Sequence, residues 1–298
     1  MRKLLLTLAA AVSLLSASAQ YYEVGMSVSA MNYAGDLTSA GFDPAGYRPA
    51  VGILARYNHS PRLAAKATVT LGQIAGDDAN ASRPQQAARN LEFRSPIYEI
   101  AAMGEFNITP YAIRNNQGAA FYLTAGISGF YFNPQARMNG EWIDLQPLGT
   151  EGQGTPLNPG TERYNRLQAA IPFGGGVKLN LTNRANLNFE LLFRRTFTDY
   201  LDDVSGLYPD IHELYEENPM AAALSFREPE HARRAIENPA GMARGNDGVK
   251  DYFMTIGVTF SFNLTHKQGL DFDDAYDIFK DPPPALSDVQ PWELIPRA

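Results

Sequence analysis

The sequence predicts an all-β fold: an eight-stranded antiparallel transmembrane β-barrel with short helices in the last external loop. Three observations carry that expectation. Eight segments alternate apolar residues with small or polar ones, as a strand with two unlike faces requires. Long and short connections follow one another strictly along the chain. Charged residues of both signs occupy strand positions opposite the apolar ones.

The chain opens with MRKLLLTLAAAVSLLSASAQ, residues 1–20. Arg2 and Lys3 precede an apolar run from Leu4 to Leu15, which ends in the small residues Ala17, Ser18 and Ala19. That is the three-part pattern of a secretory signal, with cleavage expected after Ala19 or Gln20. The alternative, a membrane anchor, needs about 20 apolar residues and the run is shorter. The remaining organisation follows as residues 21–262 for the barrel, with a large external loop at 197–250, and 263–298 for an acidic periplasmic tail. The sequence contains no cysteine, so neither a disulfide nor a thiolate site is available.

The eight segments read as follows. Tyr22, Val24, Met26 and Val28 alternate with Glu23, Gly25, Ser27 and Ser29. Val51, Ile53, Ala55 and Tyr57 oppose Gly52, Leu54, Arg56 and Asn58, and Leu63, Ala65, Ala67, Val69 and Leu71 oppose Lys66, Thr68 and Thr70. Tyr98, Ile100, Ala102 and Phe106 stand against Glu99, Ala101, Met103 and Glu105. In the fifth segment Phe121, Leu123, Ala125, Ile127 and Tyr131 stand against Tyr122, Thr124, Gly126, Ser128 and Phe130. Ala169, Ile171, Phe173, Val177 and Leu179 share a face, with Lys178 on the other. Leu187, Phe189, Leu191 and Phe193 oppose Asn186, Asn188, Glu190, Leu192 and Arg194. The last segment sets Tyr252, Met254, Ile256, Val258, Phe260 and Phe262 against Phe253, Thr255, Gly257, Thr259 and Ser261. Each is near the roughly 9–11 residues that cross a bilayer as a tilted strand.

The joins at 58–61 and 180–184 are tight and the one after Asn107 is intermediate. The joins at 32–47, 72–94, 133–167 and 198–250 are long. Transmembrane barrels segregate short periplasmic turns from long external loops in this way, and an even strand number leaves both termini periplasmic. The polar face carries Glu23, Glu99, Glu105 and Glu190 with Arg56, Lys66, Lys178 and Arg194. Isolated charges are too costly to bury, so these eight read as an interlocked charge plug filling a narrow barrel. The competing reading is an open sheet whose charged face lies in water.

Little points to catalysis or to a cofactor. His59, His212, His231 and His266 match no metal-ligand spacing, and there is no nucleophile elbow, P-loop or dinucleotide fingerprint. The glycines of PFGGGVKL lie within a strand, where they mark close approach or a bend. Asp199, Asp202 and Asp203 are weak candidates for a calcium site, against an ordinary acidic loop. A lipid-modifying enzyme would need a Ser/His pair on adjacent apolar faces, and none is visible. The 197–250 loop has a net charge of −6 and the segment from Asn263 a net charge of −4, which disfavours nucleic acid. Within that loop, Pro209–Asp210, Pro219 and Pro229 signal two or three short helices, forming a cap over one barrel mouth. In the tail, Phe272, Tyr276, Phe279 and Trp292 are spaced among acids. The tail reads equally as a partner-binding segment that folds on contact or as a solvated spacer.

SAMNYAGDLTS, with Asn32, Tyr33, Gly35 and Asp36, and RRTFTDYLDDVSGLYPD, with Thr198, Asp199, Tyr200, Asp202 and Asp203, resemble the PorG-like family of small Bacteroidota outer-membrane barrels. The resemblance runs from about Tyr22 to Tyr208 and resumes over Asp251–Phe262. It implies an eight-stranded barrel in the outer membrane, in contact with lipid. It also implies a type IX secretion role, tethering a periplasmic ring of PorK/PorN-like lipoproteins. The loops at 133–166 and 219–250 and the acidic tail depart from the family pattern. An orphan barrel whose external loops bind a surface ligand is the alternative.

Overall fold

The computed structural model describes residues 21–38, 43–111, 119–182, 184–228 and 237–264. The expected signal segment, the third helix of the last loop, His231, His266 and the tail residues Phe272, Tyr276, Phe279 and Trp292 lie outside them.

Eight long strands form a closed antiparallel barrel. They are β1 (Tyr21–Ala34), β2 (Arg48–Asn58), β3 (Leu63–Asp77), β4 (Glu92–Asn107) and β5 (Ala119–Phe132). Two short strands, β6 (Gln135–Met138) and β7 (Glu141–Asp144), precede β8 (Leu167–Asn180), β9 (Ala185–Thr196) and β10 (Tyr252–Asn263). Successive staves are hydrogen-bonded, and β1 pairs with β10 from Glu23↔Asn263 to Ala34↔Tyr252, which closes the wall. Closure leaves no stave with a free edge.

The alternation decides which way each side chain points. Met26 is 71% exposed, Val28 69%, Ile100 67% and Ile127 71%, all on the outer wall. Such large apolar exposure around a whole perimeter is far beyond that of a water-soluble monomer. Met254 departs from the expected pattern: it is only 6% exposed, because it lies beside Asn32 and Phe193 in the crowded rim where β10 leaves the last loop. The glycines of β8 mark close approach. A β-carbon on Gly174 would lie 2.1 Å from the Leu191 carbonyl oxygen, and one on Gly176 2.1 Å from that of Phe189.

The connections sort by end. β1 and β10 meet at the same end as the short turns, where the Leu264 amide donates to the Tyr22 carbonyl. At the opposite end the long loops are folded. Helix α1 (Pro84–Arg89) ends on Asn90, whose φ of 57° lies in the left-handed region. The sequence had not indicated this helix, nor the β6–β7 hairpin. Helices α2 (Ile211–Glu217) and α3 (Pro219–Ser225) follow the capping signals. The Asp210 carboxylate accepts from the His212 and Glu213 amides, and the Asn218 side chain accepts from those of Met220 and Ala221. Leu214, Ala221 and Ala222 pack with Leu148 and Leu157, while Leu224 joins Ala136 and Leu145. These contacts make a small core of their own above the barrel.

Candidate functional site

The barrel interior has two layers of different character. Toward the short-turn end it is ionic. The Arg56 guanidinium lies 2.7 Å from Glu23 and 2.9 Å from Glu105. Lys178 reaches Glu105 at 2.6 Å, and Lys66 reaches it at 3.2 Å while also contacting Glu190. Tyr122 donates to Glu190 at 2.6 Å, and Asn58 to Glu23 at 2.8 Å. Three acids thus face three bases, and Glu105 touches all three bases. Register explains one contact, since Glu23 and Arg56 are cross-strand partners. Lys66 and Glu105 are diagonal neighbours on the paired strands β3 and β4, and curvature brings Glu105 to Arg56 on β2 and to Lys178 on β8.

Higher up, Arg194 pairs with Glu99 at 3.0 Å and donates to the Thr255 hydroxyl. A small hydroxyl-lined cavity of about 40 Å³, bordered by Ser27, Thr70 and Thr259, separates this pair from the ionic group below. All eight charged residues singled out from the sequence therefore lie in the lumen, in two groups.

The long-loop half of the lumen is not polar, which corrects the picture of an interior filled by charge alone. Met31, Ile74, Phe93, Ile97, Phe130, Phe132 and Phe253 are buried together there. The Phe130 and Phe253 rings meet at 5.4 Å and 65°, and Arg194 lies 5.4 Å from the Phe253 ring. Phe130 and Phe253 point inward by alternation. They stand where rim curvature brings inward aromatics from opposite walls into contact.

Above this layer the two sequence motifs come together. The Asn32 side chain donates to the Asp43 carbonyl at 2.7 Å. The Tyr33 hydroxyl donates to Asp202 at 2.5 Å and lies 3.4 Å from Asp251. Asp251 also accepts from the Leu201 amide at 2.9 Å, and Asp202 from the Val204 amide at 3.0 Å. Gly35 is close-packed: a β-carbon there would meet Asp251 and the Tyr33 hydroxyl. Asp36 accepts from the Asn246 amide at 3.0 Å. The Thr198 hydroxyl accepts from the Tyr200 amide at 3.2 Å, and the Tyr200 ring stacks on Tyr164 at 4.7 Å. Asp203, with a φ of 67°, accepts from the Thr150 and Tyr164 hydroxyls. Arg244 binds Glu151 at 2.9 Å and the Asp203 carbonyl, joining the third and fourth long loops.

This acid-rich clasp is structural in its geometry. The carboxylates of Asp199, Asp202 and Asp203 turn to different partners (Ser205, Tyr33 and Tyr164 respectively) rather than to a common point. Among the described residues no group of three carboxylate or histidine side chains could hold a metal ion. His59 packs on Tyr57 in a short turn. Burial pushes the Asp203 carboxyl up to about 6, even with Arg244 nearby, and the Asp199 carboxyl up to about 6 as well. Asp202 and Asp251 are raised further by burial and by the other acids around them. The Tyr33 hydroxyl opposes that rise at Asp202, because a donor stabilises the ionised carboxylate.

Residues 2–146, just under half of the chain, match a family model described as Domain of unknown function (DUF6089). No curated protein sequence matches the chain. Among solved structures the chain is similar to Ail, the attachment invasion locus protein of Yersinia pestis, in complex with the heparin analogue sucrose octasulfate. That match has 7% identity and a TM-score of 0.40, over 83% of this chain and 100% of that one. The chain is also similar to Neisserial surface protein A, at 8% identity and TM-score 0.39, over 82% and 99%. A third match is the outer membrane protein OprG from Pseudomonas aeruginosa, at 7% identity and TM-score 0.40, over 85% and 99%.

Proposed function

We propose that this protein is an outer-membrane barrel with a structural rather than enzymatic role, anchoring a periplasmic assembly to the membrane. The observation that carries the membrane reading is the wall itself. It is apolar outside around its whole perimeter and filled inside with paired charges and packed aromatics. Only a hydrocarbon solvent rewards that inversion of the usual inside and outside. The filled lumen suits an anchor better than a conduit. The short turns and both chain ends of the barrel share one end, which in this reading faces the periplasm.

The motifs shared with PorG-like barrels favour a type IX secretion component and a PorK/PorN-like ring lipoprotein as partner, with the acidic segment after Asn263 as the contact. Deleting Leu270–Ala298 then leaves the barrel inserted and releases the partner, read by crosslinking mass spectrometry in native membranes. Recovery of the same periplasmic proteins from the truncated strain removes the tail from the interface. A mature chain that stays monomeric in buffer without detergent ends the membrane reading altogether. The packed loop cap supports a second reading, a barrel that binds a surface ligand. Crosslinks to surface material instead of lipoproteins select it.

A further inference from the structure

The outer wall carries three guanidinium groups at one place on the long-loop rim. Going up β4, the outward side chains run Phe106, Ile100, Tyr98 and then Arg94. Twelve residues of tilted strand put Arg94 about 30 Å above Phe106, at the height where an apolar band gives way to headgroups. The Tyr98 and Tyr131 rings stack there at 6.0 Å and 8°, as aromatic girdles do.

The β6–β7 hairpin extends this wall, pairing to β4 through Arg94↔Gln135. Its inner face, Ala136 and Ile143, packs into the loop core, so Arg137 and Trp142 are presented outward. Arg94 lies over the Trp142 ring at 4.0 Å, Arg137 lies 5.3 Å from the same ring, and Arg166 lies 5.5 Å from that of Tyr131.

Among the described residues no carboxylate bonds directly to these guanidiniums. Arg94 donates to the Gln135 amide oxygen at 3.0 Å and Arg166 to that of Asn133 at 2.8 Å. Those two amides hold Asp144, which shares that face, at 2.7 and 2.9 Å. Glu141 alternates to the opposite face of the hairpin, and Glu92 is paired with Arg227. Among the described residues none of Arg94, Arg137 and Arg166 has a carboxylate partner. The aromatic rings hold the guanidiniums in place, and beyond the one N–H that Arg94 and Arg166 each give to an amide the donors stay open, which is the preparation that phosphate binding requires.

We infer that Arg94, Arg137 and Arg166, braced on Trp142 and Tyr131, bind the phosphates of an anionic glycolipid, of the lipid A type, in the leaflet at the long-loop end. The inference rests on the membrane reading above and supplies a lipid contact that orients the barrel. A lipid phosphate suits the patch better than a free anion, because the patch is continuous with the apolar wall that would take the acyl chains.

The test uses the full mature chain in detergent micelles doped with lipid A and phosphatidylcholine in equal amounts, with retained lipid counted by native mass spectrometry. Lipid A is expected to be retained over phosphatidylcholine, and an R94Q/R137Q/R166Q variant to lose about a hundredfold of that preference. Arg137→Gln alone, at an exposed position of the hairpin, is expected to lose about fivefold and covers a triple variant that fails to fold. Arg62→Gln, at the short-turn end, keeps the wild-type preference. Equal retention of both lipids by the wild type overturns the inference, as does a preference untouched by Arg137→Gln. Displacement of lipid A by millimolar inorganic phosphate makes the patch a free-anion site and overturns the lipid assignment. Flotation with phosphatidylcholine vesicles separates the two claims. A chain that floats but shows no lipid preference defeats this inference alone, whereas a chain that does not float defeats the membrane reading with it.

Discussion

Replacing Glu105 by glutamine tests the charged lumen most directly. Glu105 is fully enclosed and meets Arg56 at 2.9 Å, Lys66 at 3.2 Å and Lys178 at 2.6 Å. Without it, Glu23 and Glu190 remain against three cations, and one positive charge is left buried with no counter-charge. Lys178 then keeps neutral partners alone, the Asn107 side-chain oxygen at 3.1 Å and the Tyr122 ring at 4.7 Å among them. Breaking one partner of a buried ion group costs about 3–5 kcal/mol. An independent bound agrees: the lumen can escape the excess charge by discharging one lysine, which for an ordinary lysine near neutral pH costs about 4 kcal/mol. Glu105→Gln is therefore expected to lower the stability of the vesicle-inserted barrel by about 3–4 kcal/mol, read as a shift in its urea midpoint at constant slope. The double variant E105Q/K178M restores neutrality with a side chain of similar length and is expected to recover most of the loss. A single variant within about 1 kcal/mol of wild type would refute the argument, as would a double variant that sums the two losses. In either case the lumen would have to be wet enough to solvate an unpaired charge.

Two further outcomes concern the clasp at the long-loop mouth. Tyr33→Phe removes the donor to Asp202 and leaves a buried acceptor short of a partner. It is expected to cost about 1–3 kcal/mol, seen as faster proteolysis at residues 198–206 while the barrel keeps its folded mobility on cold gels; unchanged cleavage would count against the clasp. Asp203 and Asp199 have carboxyls raised from near 3.8 to about 6 in the folded loop, so the folded form binds protons more tightly than the unfolded one. Their contribution to loop stability is thus complete below about pH 4 and is lost as pH rises through 6. Hydrogen exchange of the 198–206 amides, corrected for intrinsic rates, is expected to show stronger protection at pH 5 than at pH 8, and the reverse order would refute the sign.

Alternation is a property of neighbouring residues, and it reaches far in this chain. Which side chains of β1 or β9 face in and which face out follows from a two-residue period that no distant contact can change without slipping the whole strand. The helix starts at Asp210 and Pro219 are similarly local, because the capping groups lie within three residues of the amides they satisfy. Met254 shows where that logic stops: its outward position was legible, but its burial depends on what crowds the rim.

The pairings inside the lumen belong to the tertiary structure. Glu23 and Arg56 meet through sheet register, but Glu105 finds Lys178 two staves away, and Arg194 finds Glu99 three staves away, only because the wall curves. The same closure gathers Phe130, Phe253 and Phe93 into an apolar layer that no single strand announces. Helix α1 and the β6–β7 hairpin needed tertiary packing too. Six-residue and four-residue elements are too short to be stable alone, and they form where Arg89 binds Asp78 and where Ala136 meets Leu224. The sequence by itself determined the staves, their faces and the order of long and short connections, because those depend on chain neighbours, whereas β3 and β4 extend to Asp77 and Glu92 into what reads as the 72–94 join. Which charges neutralise one another, and which remain open on the rim, was decided by distance in three dimensions.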